Sequence, residues 1–411
     1  MLGPSAFERK NVSLIGYHDL NGRPGFKIAG QRVNGSTFLY LSHFWHAGWT
    51  VVDVTNPKSP EVVTFVSTSS FDRTWTTQVQ VAGGLMIGSL EKPYAHMVGE
   101  RANAEFEEGI LIYDVASDPR HPTLLSHFRT GGTGTHRNFY GGGDFAYLCA
   151  QLKGFLGQCL LVVDVRDPAK PQEVGRWWWP GQNTAAGEIP HDEDTHYMHG
   201  PAYVVGNRAY VSYGRVGAVI LDVSNPAKPQ LVSRVSVGDI GNTLGCHSAV
   251  PIPGRNLLVI NSEAIQEGRE EGLNYSLVVD IRDESQPKII AALPMPQPAA
   301  EAPYSSYHDR GGRFGPHNQA HHQGMSVFRE LHNHVVMTYF NAGLRIFNII
   351  DPYCPVEVGY YVSTDPVERI GILPKTLVSQ AEDVAVDSRG YIYCTDKNWG
   401  LSVLQYEGNL D

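Results

Sequence analysis

Charged side chains are scarce in this chain. Asp, Glu, Lys and Arg make up 18% of 411 residues, while hydrophobic residues make up 42%. That balance excludes a disordered or coiled-coil chain. The net charge is −10 and no basic run occurs, which argues against nucleic acid as a partner. No stretch approaches the roughly 18 consecutive apolar residues of a membrane helix, so no membrane association is expected. Residues 1–10 lack the apolar core of a secretory signal and carry Glu8, so a cytoplasmic location is expected. Cysteine is also sparse. Cys149, Cys159, Cys246, Cys354 and Cys394 are odd in number and never form a C-x-x-C pair. Free thiols in a reducing compartment fit this better than a disulfide framework or a zinc ribbon.

What the chain has in abundance is turns. Its 43 Gly and 26 Pro exceed the average share of roughly 12%. A signature recurs between them: a β-branched run ending in Asp-Val or a near variant, a Pro-containing turn, and a second β run. The copies are GWTVVDVTNPKSPEVVTFV, GILIYDVASDPRHPTLLSHF, QCLLVVDVRDPAKPQEVGRW, GAVILDVSNPAKPQLVSRV, YSLVVDIRDESQPKIIAAL and GLRIFNIIDPYCPVEVGYYV, with a partial copy, GLSVLQYEGNLD, at the end. They align Asp53, Asp114, Asp164, Asp222, Asp280, Asn348 and Gln405 in one column. Each copy follows a hairpin such as YVVGNRAYVSYG, so each unit reads as four strands, A to D. Seven four-stranded units predict an all-β, seven-bladed β-propeller occupying residues 1–411 as one domain. The seventh copy stops after strand C, and NVSLIGYHDL near the start resembles a strand D. Residues 11–20 are therefore expected to complete the last blade and leave no open edge.

The [LV]-x-[VI]-x-D-V-x-[ND]-P-x-x-P pattern resembles the LVIVD-repeat family of β-propellers over most of the chain. The resemblance implies the fold and says little about function. Many LVIVD proteins are exported, and this sequence departs from them in showing no export signal.

Histidine is the informative residue, with 17 copies. Aligning the A strands on their hairpins places His136, His199, His247 and His322 (or His321) in one column, with Glu382, about Thr76, and Phe26 or Lys27 in the other three blades. Strand A lines the channel of a propeller, so these imidazoles are expected to converge on the axis. Neutral imidazole is a ligand for divalent transition metals. One such ion is the expected cofactor, iron favoured, with manganese, zinc or copper as alternatives. The competing reading is a repeat-derived His that only caps its strand. The long D–A and B–C loops share the same face. They supply Glu263 and His196, with Glu382, as candidate catalytic groups, and Trp179, Tyr307, His308 and His46 as candidate substrate contacts. Trp177–Trp179 reads first as an outer strand with alternate rings packed between blades.

The four-His arrangement is similar to that of carotenoid cleavage oxygenases, in which four His on a seven-bladed propeller hold iron. Oligogalacturonate lyases are similar in holding manganese with His and Gln, and Gln319 and Gln323 flank His321 and His322 here. The expected function is a metal-dependent oxidoreductase or oxygenase acting on a small organic substrate, aromatic ones included. A metal-dependent lyase or hydrolase, and a non-catalytic interaction platform, are the alternatives. Propeller sides and lid loops can both dimerise, so a homo-oligomer is among the expected partners.

Overall fold

The computed structural model describes residues 3–68, 74–103, 105–190 and 197–411. Seven four-stranded antiparallel sheets form a seven-bladed β-propeller. Blade one is Ile28–Val33, Ser36–Ser42, Gly48–Asp53 and Glu61–Ser67, in simple meander order. Blades two to five repeat this order.

The repeated Asp has a local physical role. It ends strand C, and its carboxylate accepts the backbone N–H two residues on. The bonds are Thr55 N to Asp53 (2.9 Å), Arg166 N to Asp164 (3.0 Å), Ser224 N to Asp222 (2.8 Å) and Arg282 N to Asp280 (2.9 Å). This closes an Asx turn that reverses the chain into strand D. Asn348 does the same for Ile350 N at 2.9 Å. Gln405 does not, because no turn follows: its strand Gly400–Tyr406 is instead covered by Val12–His18, which completes blade seven.

A second tie at the N-terminus has no counterpart in the repeat. Ala6–Lys10 adds to the outer edge of blade six by pairing with Val356–Ser363. Buried Glu8 anchors it, accepting from Ala299 N (2.9 Å), Tyr304 (2.7 Å) and Tyr307 (2.8 Å). The N-terminal segment thus stitches blade six to blade seven.

Blade cores form between neighbouring sheets. Trp49 of blade one packs edge-on to Tyr113 of blade two at 5.9 Å, and only glycine fits opposite it, since a Cβ on Gly88 would lie 2.2 Å from the indole. Trp177 and Trp179 pack into one inter-blade core and Trp178 into the next, as alternation along a strand requires.

Blade six departs from its neighbours in strand A. The innermost run is residues 317–320, held by His317 N to Thr338 O (2.9 Å), Ala320 N to Val336 O (2.8 Å) and a Gln319–Met337 bridge. The following loop, residues 321–333, runs across the channel at the end away from the strand-A starts. His321 packs on Tyr203 of blade four (5.0 Å), Gln323 accepts from Gln80 of blade two (2.9 Å), and Val327 O accepts from Ser388 of blade seven (2.9 Å). Gly324 meets Gly141 of blade three so closely that a Cβ would lie 2.2 Å from its carbonyl oxygen. Among the described residues, no helix is long and apolar enough to cross a membrane.

Candidate functional site

With one end of the channel covered by that loop, the other opens as a cavity of about 660 Å³. Four imidazoles form an arc on its wall, one from each of blades three to six. His136, His199, His247 and His317 follow one another with ring centroids 4.9, 4.9 and 4.5 Å apart. Backbone register puts them there: His136 N bonds Cys149 O (2.9 Å), His199 N bonds Ser212 O (3.1 Å) and His317 N bonds Thr338 O (2.9 Å), each at the far end of strand B.

The fourth member is His317, and the expectation of His322 is corrected. His322 lies in the loop 321–333, its Nδ1 accepting from Gly324 N and its Nε2 3.9 Å from Glu330. His321 faces Tyr203. The hairpin-length alignment failed because this loop is lengthened to cover the channel, which displaces strand A toward the N-terminus.

Ring tautomers follow from the partners. His136 Nδ1 lies 2.7 Å from Glu91 Oε2, and the other oxygen of Glu91 accepts from the Tyr94 hydroxyl. His317 Nδ1 donates to the Glu382 carbonyl at 2.7 Å. Both interactions leave Nε2 free to face the cavity. Glu263 sits among the other three imidazoles: its carboxylate is 3.7 Å from His199 Nε2, 3.6 Å from His247 Nε2 and 3.8 Å from His317 Nε2. It also pairs with Arg313 at 3.1 Å. Burial holds His199, His247 and His317 well below the ordinary imidazole range; nearby His136, Arg137 and Lys397 push the same way. These three rings are therefore neutral near pH 7.

Glu382 is the second residue of strand A in blade seven, Ala381–Val386, and contacts Lys397. Burial pushes its carboxyl up to about 7, against the pull of Lys397. Burial likewise raises Glu263, against Arg313 and Lys397, and lowers Lys397. The facing wall, on blades one and two, is aromatic. Phe26, Phe44, Trp75 and Tyr94 run in contact toward His136, with centroids 4.7, 4.4 and 5.1 Å apart and 6.1 Å to the imidazole. Trp45, Met97 and Leu244 add apolar lining.

The expected site residues thus divide. Glu382, Glu263, His136, His199 and His247 line the cavity; His196 lies outside the described residues. Trp179, Tyr307, His308 and His46 do not line it. Trp179 packs between blades, its backbone N–H on Tyr213 (3.1 Å). Tyr307 is fully buried, bonded to Glu8 and Arg345. His308 donates to Gly268 O (2.6 Å) beside a separate pocket of about 300 Å³. His46 is half-buried outside the cavity. Sequence reasoning missed Glu91, Arg137, Arg313 and Lys397, because a Glu, Arg or Lys beside a strand or in a loop carries no pattern until the blades are assembled.

His199, His247 and Glu263 could hold a metal ion: one donor atom from each lies within 4.8 Å of the others. Ligand bonds of about 2.1 Å set tetrahedral edges near about 3.4 Å, and the imidazole–carboxylate distances here exceed that by only a few tenths of an ångström. Neutral nitrogens beside a carboxylate suit a divalent ion of the first transition row. His136 and His317 extend the same arc.

Comparison with known proteins speaks to the fold. The LVIVD repeat family pattern matches residues 37–68, 142–177 and 202–237. No curated protein matches the chain in sequence. A chain of the solved structure described as "Crystal Structure of Mitotic Checkpoint Complex" is similar in fold. It has a TM-score of 0.54 at 10% identity, over 99% of this chain and 95% of that one. At that identity only the propeller architecture is shared. The protein is a seven-bladed β-propeller that carries LVIVD repeats at three positions.

Proposed function

We propose that this protein is a metal-dependent enzyme in which His199, His247 and Glu263, with His136 and His317 extending the same arc, hold one divalent transition metal, iron favoured over manganese, zinc or copper. The observation that carries this reading is the arc of imidazoles, three of them neutral, with Glu263 among them on the wall of the cavity. Unpaired buried imidazoles are costly to desolvate without a ligand, and His247 Nδ1 is buried without a hydrogen-bond partner. When bound, the ion would supply a Lewis-acid or redox centre with an open side. The arc covers blades three to six, so that open side faces blades seven, one and two, where Glu382 and the aromatic wall lie. We read the reaction as oxidation or oxygenation of a small aromatic substrate laid against Phe26, Phe44 and Tyr94.

A carboxyl with a pKa of about 7 is matched to proton transfer at neutral pH. Glu382 also lines the cavity, 3.6 Å from His317 Nδ1; we assign it the role of acid or base, and the same placement favours a lyase or hydrolase as the second reading. The test is oxygen uptake by iron-reconstituted protein with a panel of small arenes. Glu382→Gln is expected to retain metal and lose turnover; unchanged turnover removes Glu382 from the mechanism. Turnover of the panel without oxygen uptake transfers the assignment to the second reading.

A further inference from the structure

The charged groups in and around the cavity are mostly matched. Lys27 pairs with Asp383 (3.0 Å), Arg313 with Glu263 (3.1 Å) and Lys397 with Glu382. Arg137 is different. It reaches from blade three across to blades four, five and six, donating to Gly200 O (2.6 Å), His247 O and Asn318 Oδ1 (2.8 Å). All three acceptors are neutral, and none of the ion pairs among the described residues includes it. Arg137 is 7% exposed and lines the cavity. An arginine carries five N–H donors and stays protonated; the three bonds leave two donors over. Buried charges in proteins are ordinarily paired. Phe26, Phe44 and Tyr94 line the same cavity as Arg137.

We propose that the cavity takes an aromatic anion, an arene carboxylate or phenolate, whose acidic oxygen meets the free donors of Arg137 while its ring lies on the aromatic wall. Arg137 is then the residue that selects charged over neutral arenes. The inference deepens the enzymatic reading by naming its substrate class, but the anion site stands on Arg137 and needs no metal.

The experiment is calorimetric titration of metal-free protein with benzoate and with benzamide, a neutral near-isostere. The guanidinium is ionised with either ligand, so what benzoate adds is the attraction of its own negative charge, and it should bind roughly tenfold more tightly, which is about 1.4 kcal/mol. Arg137→Gln should abolish that preference while leaving benzamide binding in place. Equal affinities, or no binding of either compound, would overturn the proposal. If Arg137→Gln fails to fold, the wild-type pair of titrations still decides. Benzoate selectivity in a protein that never retains metal would keep the anion site and remove the metalloenzyme reading.

Discussion

His43 should make the fold acid-sensitive by a calculable amount. Its ring is completely buried in blade one. Nδ1 lies 2.7 Å from the Pro24 carbonyl, which can only accept, so Nδ1 carries the proton. Nε2 must then accept from the Thr50 hydroxyl at 2.6 Å. A second proton has no place in this arrangement, and burial, reinforced by Arg23 and His46, lowers the pKa from 6.5 to about 3. The unfolded chain therefore binds a proton that the folded chain refuses. Stability is fully present above pH 6.5 and falls as pH drops toward 3. At about 1.4 kcal/mol per pH unit, the loss reaches about 2 kcal/mol by pH 5. The assay is equilibrium urea unfolding of wild type and His43→Gln at pH 7.5 and 5. Other buried histidines contribute to both proteins and cancel in the difference. Wild type should lose about 2 kcal/mol more than the variant over that interval. Equal losses, or a larger loss in the variant, would refute the assignment of a buried neutral imidazole.

Two further perturbations test the site and the packing. Glu91→Gln removes the carboxylate that orients His136 at 2.7 Å and should weaken metal affinity about 10- to 100-fold; equilibrium dialysis showing no change would remove Glu91 from the site. Gly88→Ala places a methyl 2.2 Å from the Trp49 indole. It should cost about 1–3 kcal/mol of stability, read as a lower urea midpoint; an unchanged midpoint would mean that blades one and two adjust freely there.

The architecture was legible because its signal is repeated. One Asp closes the same turn after five of the C strands, and Asn348 substitutes for it in blade six. The closing strand was legible too, since the last copy lacks a strand D and Val12–His18 supplies one. Ala6–Lys10 was not. Its hold on blade six depends on Glu8 meeting Tyr304 and Tyr307, almost 300 positions away in the chain. The histidine column could be read where hairpins kept their length, at His136, His199 and His247. It slipped in blade six because the loop 321–333 serves the channel rather than the hairpin. The charged partners Glu91, Arg137, Arg313 and Lys397 carried no signal, since their roles come from blades brought together only by ring closure.

The measurement that bears most directly on the account is the metal content of freshly purified, untagged protein, made before any chelator and compared with His317→Ala and His322→Ala. Wild type and His322→Ala should carry close to one transition metal per chain, and His317→Ala should lose it while keeping its β-sheet circular dichroism. No metal in wild type after reconstitution, or full metal in His317→Ala, would contradict the imidazole arc as a metal site.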